Sequence, residues 1–226
     1  MTNEALSDAK LALGETASHR PALRGTRHMA VAGHYAAAHA AFQILEAGGN
    51  AFDAGVAGGI ALGVLQCDIV NVAGVAPIIL YDAKSRQVHS ISGLGTWPRL
   101  ADAEVFRKEY GGAIPEGLLR TVVPAAPQAW ITTLQRFGTL SFGEVASAAI
   151  RFAREGFPMF SLLSDMIAVS ADRYRRWPSS ASIYLPNGQA PKVGEIFVQT
   201  DLANSLQYMA DEERKVAKSS GRAAGL

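Results

Sequence analysis

The chain has 226 residues, 49% of them apolar and 18% charged, with a formal net charge of +1. That length suits one domain, or two small ones, with enough interior for a sizeable core. The near-zero charge offers no basic surface for nucleic acid and no acidic tail, which argues against polyanion partners.

The first twenty residues mix both charge signs and lack a basic start followed by an apolar core, so they do not look like a secretory signal. A cytoplasmic location is the default expectation; a leader removed upstream would leave the same start. Residues 1–27 are taken as an N-terminal extension. A helix is predicted from about His34 to Ala47, Ala-rich, with Ala38, Phe42 and Leu45 on the side that would face a sheet. Gly48 and Gly49 stop it, since a glycine closes a helix end in the left-handed conformation without steric cost. Asn50 is suited to cap the next helix, with Asp53 reaching back from its first turn. The run between Asp53 and Asp68 is about fourteen residues long and apolar on all sides, too short for the roughly 18–20 residues a bilayer crossing needs, so it is expected to be a buried helix. Its Gly55, Gly58, Gly59 and Gly63 are poor helix formers, each costing up to about 1 kcal/mol relative to alanine, and imply close approach by a neighbouring element. No phosphate-cradling Gly motif is present.

Two strands are predicted at Ala76–Tyr81 and Gln87–Ile91, joined by a polar connection of hairpin length. Gly93, Gly95 and Pro98 then force an irregular loop. A short helix over Ala103–Tyr110 follows, then helices at about Ala125–Phe137, Ser141–Glu155 and Pro158–Arg175; Ser141 with Glu144 has capping-box spacing. Asn187-Gly188 marks a turn, and Asp201 is placed to cap a last helix ending near Met209. The charged stretch 211–226 is expected to be frayed or cut from something longer.

No complete catalytic constellation stands in these residues. His19, His28, His34, His39 and His89 show no metal-ligand spacing with cysteine or carboxylate, and His34 and His39 are five apart, the wrong offset for one helical face. There is no GxSxG elbow. Cys67 cannot form an internal disulfide; at the end of an apolar helix, with no electropositive neighbour in the sequence, it is a small buried side chain and not a nucleophile.

The segment MAVAGHYAAAHAAFQILEAGGNAFDAGVAGGIALGVLQCDIV, Met29 to Val70, resembles the start of a γ-glutamyltransferase large subunit. The likeness continues through IILYDAKSRQV, VVPAAPQAWITTLQRFGTLSF, AAIRFAREGFP and SIYLPNGQAPKVGEIFVQTDLANSL, in matching order and spacing. It implies an α+β N-terminal-nucleophile (Ntn) hydrolase fold, a four-layer αββα sandwich, with residues 28–210 supplying the helix-rich large-subunit part. In that family a precursor cuts itself, and the new N-terminal Thr of the small subunit attacks the substrate amide with its own α-amine as base. The resemblance therefore puts no catalytic residue in this chain, implies no metal or organic cofactor, and names as partners the small subunit from the same precursor and a small amide or acyl-amino substrate. Neither nucleic acid nor membrane is implied, and a dimer of processed heterodimers is compatible with it.

Two departures from the family pattern stand near the expected pocket. The family's loop after the second strand, in a pattern like DGRETAP, holds an arginine that grips the substrate α-carboxylate, as its planar fork of donors suits. The matching stretch here is SGLGTWP, Ser92–Pro98, and the arginine position falls on Leu94. The family's GIGGGGFMLVY is NVAGVAPIILY here, Asn71–Tyr81. The candidate substrate-binding residues are thus Ser92, Gly93, Leu94, Gly95, Trp97 and Arg99: Trp97 to wall a flatter or more apolar acyl group, Arg99 to replace the lost cation. The bland alternative packs Trp97 in the core and leaves Arg99 solvated. The sequence then suggests a γ-glutamyltransferase-like enzyme with altered substrate; a true γ-glutamyltransferase is the second reading, and a non-catalytic binding or scaffold homologue the third.

Overall fold

A computed structural model describes residues 23–226. The expectation made for the first twenty residues lies outside them. Among the described residues no helix is long and apolar enough to cross a membrane.

Helix α1 (Tyr35–Glu46) begins at His34, whose Nδ1 accepts from the Ala36 amide at 3.2 Å, and ends where Gly48 turns left-handed at φ +94°. Helix α2 (Ala51–Leu65) opens with the anticipated capping box: the Asn50 side chain accepts from the Phe52 and Asp53 amides, and Asp53 accepts from the Asn50 amide at 3.0 Å. Val56, Ile60, Val64 and Leu65 are buried, so α2 is the centre of the core, as its unbroken apolarity implies. Neighbours come close at Gly58, Gly59 and Gly63, whereas Gly55, also expected to admit one, has nothing within 4 Å of where a Cβ would sit. A Cβ on Gly58 would sit 3.4 Å from the Ala41 Cβ, and one on Gly59 would sit 3.2 Å from the Trp130 Nε1. The packing gained this way offsets their poor helix propensity.

The face of α1 differs from expectation. Ala37, Ala40 and Ala41 are buried against α2, whereas Phe42 is 41% exposed beside the His28 ring, 5.0 Å away. A small-residue stripe wins because helix-on-helix packing at this distance leaves no room for an aromatic ring.

The hairpin follows. Strands β1 (Ile78–Asp82) and β2 (Gln87–Ile91) pair antiparallel from Ile78↔Ile91 to Asp82↔Gln87. The Asp82 carboxylate accepts from the Lys84 amide and the Ser85 hydroxyl, which closes the turn. The inner face holds the buried Leu80; Ile79, Tyr81 and Val88 lie exposed on the other. The short helix α3 (Ala103–Tyr110) has no buried residue.

Helix α4 (Ala126–Phe137) stops at Gly138, and α5 (Phe142–Glu155) starts with the Ser141–Glu144 capping box, both as the sequence implies. The predicted Pro158–Arg175 helix is instead three pieces. Phe157–Pro158 form strand β3, paired with β4 (Ile196–Phe197), and the Met159 amide donates to the Glu195 carbonyl at 2.8 Å. That backbone is used by a sheet, so the helix starts later, as α6 (Ser161–Val169), and breaks at Ser170 before α7 (Ala171–Arg175). A further helix, α8 (Pro178–Tyr184), was not anticipated.

The last long helix, α9 (Thr200–Ser220), does not end near Met209. Asp201 lies in its first turn and does not cap it; the preceding Gln199 instead donates from its side chain to the Val64 carbonyl at 2.8 Å. The stretch 211–226, expected to be frayed, is built in. Glu213 is buried and accepts from the Phe142 and Gly143 amides at 2.7 and 2.9 Å, capping α5 from a distant part of the chain. Arg222, in the terminal turn α10 (Arg222–Gly225), donates to the Leu134 and Leu140 carbonyls. These contacts need a partner 70 to 88 residues away, which is why local charge pattern gave no hint of them.

Candidate functional site

The loop after β2 is held by its own backbone. The Ala76 amide donates to the Gly93 carbonyl and the Val123 amide donates to the Thr96 carbonyl, both at 2.8 Å. Gly93 and Gly95 have φ of +51° and +72°, and a Cβ there would come within 2.1 Å of the Ala76 oxygen and 2.3 Å of the Val123 oxygen respectively. Only glycine fits at either position. Between them Leu94, the residue that the resemblance sets against the family's arginine, is 54% exposed on a fixed backbone.

The altered run Asn71–Pro77 braces the same region. The Gly74 carbonyl accepts from the Ala125 and Ala126 amides at 2.9 and 3.0 Å, tying it to the start of α4. A recess of about 320 Å³ opens between the loop and α4; Ser92, Leu94, Thr96, Gln128 and Thr132 line it along with the two glycines and the apolar Ile91, Ala125 and Ala129. No charged side chain lines it. Four of the six residues singled out in the sequence, Ser92, Gly93, Leu94 and Gly95, meet there; Trp97 and Arg99 do not line it. Trp97 packs edge-on against Phe106 of α3, ring centroids 5.8 Å apart, and not in the core. Arg99 is exposed and makes no ion pair among the described residues. Sequence reasoning missed Thr96, Gln128 and Thr132. The i, i+4 spacing of the last two was visible, but which face of α4 would meet the loop was not.

Other reactive groups are accounted for structurally. A larger cavity, about 940 Å³, includes Cys67 and Tyr184 in its walls. Burial, with a smaller contribution from the Asp68 charge, pushes the Cys67 thiol up to about 11, so it is protonated and a poor nucleophile at neutral pH, as its sequence setting implied. Burial lowers the His34 pKa, in keeping with a neutral ring whose Nδ1 accepts the cap bond. Among the described residues no group of three or more His, Cys, Asp or Glu is placed to hold a metal ion.

The model of the Gamma-glutamyltranspeptidase family matches residues 37–221. This chain belongs to the γ-glutamyltranspeptidase family. It is 37% identical over 207 residues to an Acylase ACY 1 proenzyme of Pseudomonas sp. (strain SE83), covering 87% of this chain and 37% of that protein. It is 31% identical over 192 residues to the Glutathione hydrolase-like YwrD proenzyme of Bacillus subtilis (strain 168), covering 84% of this chain and 36% of that one. It superposes on the Helicobacter pylori γ-glutamyltranspeptidase crystal structure with a TM-score of 0.80 at 23% identity, over 89% of this chain and 59% of that one. The chain spans little more than a third of the length of the curated relatives it matches. Its fold is therefore the α+β Ntn-hydrolase fold of the γ-glutamyltranspeptidases, and the part it carries is the helix-rich large-subunit region. The Gly93–Gly95 loop directly follows β2.

Proposed function

We propose that this chain is the large-subunit portion of a self-processed Ntn enzyme that cleaves an amide bond or transfers its acyl group, and that the acyl group is other than γ-glutamyl. The observation that carries this reading is Leu94, presented on a backbone pinned by Gly93 and Gly95 where the family uses a carboxylate-binding arginine. A leucine makes no hydrogen bond to a carboxylate. A ligand α-carboxylate placed there forfeits two parallel charge-assisted bonds, which disfavours γ-glutamyl substrates. The higher identity to the relative named an acylase than to the one named glutathione hydrolase-like supports the same reading.

In this reading the nucleophile is the N-terminal Thr of a small subunit cut from the same precursor. Its α-amine takes the hydroxyl proton, the hydroxyl oxygen attacks the substrate carbonyl, and preorganised donors stabilise the oxyanion. This chain contributes the walls that orient the acyl group. Mass spectrometry of the whole gene product is expected to show two chains, the second starting with Thr; an active protein that stays in one piece would refute the proposal. Leu94→Arg in the whole protein is expected to raise γ-glutamyl anilide cleavage relative to other acyl anilides.

One observation favours a second reading, an ordinary γ-glutamyltransferase. Arg99 is an exposed guanidinium with no ion-pair partner among the described residues, two positions beyond Trp97. It could supply the missing cation from a shifted position. Robust γ-glutamyl transfer by the natural protein, lost in Arg99→Ala, would establish that reading in place of the first.

A further inference from the structure

We infer that Gln128 and Thr132 of α4, with Ser92 and Thr96 of the loop, are specificity-determining residues, and that the acyl group they receive ends in an uncharged, hydrogen-bonding function such as a carboxamide. The inference rests on the acyl-cleaving reading above and narrows it to a substrate class.

The chemistry of the recess carries it. Its walls combine two hydroxyls from the loop and an amide and a hydroxyl from α4 with the apolar side chains of Ile91, Leu94, Ala125 and Ala129, and no cation or carboxylate. Among the described residues the four polar side chains make no hydrogen bond to the protein, in contrast to the neighbouring Thr133, whose hydroxyl donates to the Ala129 carbonyl at 2.8 Å. They are free to bond a ligand. Gln128 and Thr132 are one helical turn apart on the same face, so both address the same volume.

A charged group is a poor fit. The polar groups there can hydrogen-bond an ion, but no side chain of opposite charge balances the cost of burying it. The start of α4 does not substitute for one, although helix N-termini attract anions. The Ala125 and Ala126 amides are both spent on the Gly74 carbonyl and Pro127 has no amide proton, so in the first turn only the Gln128 amide remains, a single neutral donor against a full charge. A wholly apolar group is also disfavoured, because covering free hydroxyls and an amide without replacing their bonds to water penalises the complex. A carboxamide both donates and accepts, and matches Gln128 and the hydroxyls at once.

The test uses the whole, self-cleaved protein and three anilides of equal reach: 4-carbamoylbutanoyl, its apolar isostere 5-methylhexanoyl, and γ-glutamyl. The expected order of kcat/KM is carbamoylbutanoyl first, by about tenfold over the isostere, as one or two neutral hydrogen bonds give, with γ-glutamyl last. Gln128→Leu and Thr132→Val are each expected to lower the carbamoyl-to-isostere ratio by about fivefold or more. A ratio near one in the natural protein, a preference for γ-glutamyl, or a ratio that neither variant moves would overturn the inference. Failure of self-cleavage is a separate outcome that refutes the enzymatic reading. In that event calorimetric titration of the uncut protein with glutaramide and with 5-methylhexanamide decides this point: tighter binding of glutaramide supports it, and equal or weaker binding overturns it.

Discussion

The helical part of the molecule and the hairpin-loop part are stabilised in different ways. In the first, two junctions are closed by buried acids: Asp53 joins α2 to the turn after α4, and Glu213 joins α9 to the start of α5. In the second, from β1 to the start of α4, large apolar side chains such as Ile79, Val88 and Leu100 stand in solvent, and position is fixed by main-chain bonds between extended segments. The lesson is that one part satisfies its own polar groups by side-chain hubs, while the other fixes a backbone and leaves its side chains available.

Substitutions can break this contrast, and the hubs should give the largest effects. Asp53 is fully buried and accepts from the Asn50, Thr139 and Leu140 amides and the Thr139 hydroxyl. Asp53→Ala strands those donors and is expected to destabilise by about 3–5 kcal/mol, measured by urea unfolding of the whole protein. Glu213→Gln keeps the shape and removes the charge and one acceptor, so a loss of about 1–2 kcal/mol is expected in the same measurement.

His34 sharpens the contrast with a smaller, pH-dependent effect. Its pKa is lowered in the folded chain by burial, so the unfolded state takes up the proton first. Stability is full above the ordinary imidazole value near 6.5 and falls as pH drops through it, levelling off below the lowered folded value. His34→Asn keeps a cap acceptor without the titration and should flatten the change in melting temperature between about pH 7 and pH 5. Least of all should Leu94→Arg affect stability. At an exposed site on a pinned backbone the unfolding free energy should change by no more than about 0.5 kcal/mol, even as specificity changes.

The capping residues made much of the helical part legible in the sequence. Asn50 with Asp53 and Ser141 with Glu144 are local signals, and the structure places both boxes as anticipated. Illegible were features decided by distant partners. Phe157 and Pro158 pair with Phe197 and Ile196, so no helix starts at Pro158, and Glu213 finds its amides on another helix. The orientation of α1 was misjudged because Phe42 looked like a core residue, while the neighbour across the interface left space only for alanines. The site was half legible. The loop and Leu94 stood out by resemblance, but Gln128 and Thr132 belong to it through the packing of α4 alone.

Gly93 and Gly95 have a consequence for substitution at Leu94. Because loop shape is written in main-chain bonds and two missing methyl groups, the residue between them can be exchanged without refolding anything around it. Under the proposed reading, exchanging that one side chain redirects substrate choice at almost no thermodynamic penalty, with the skeleton around it unchanged.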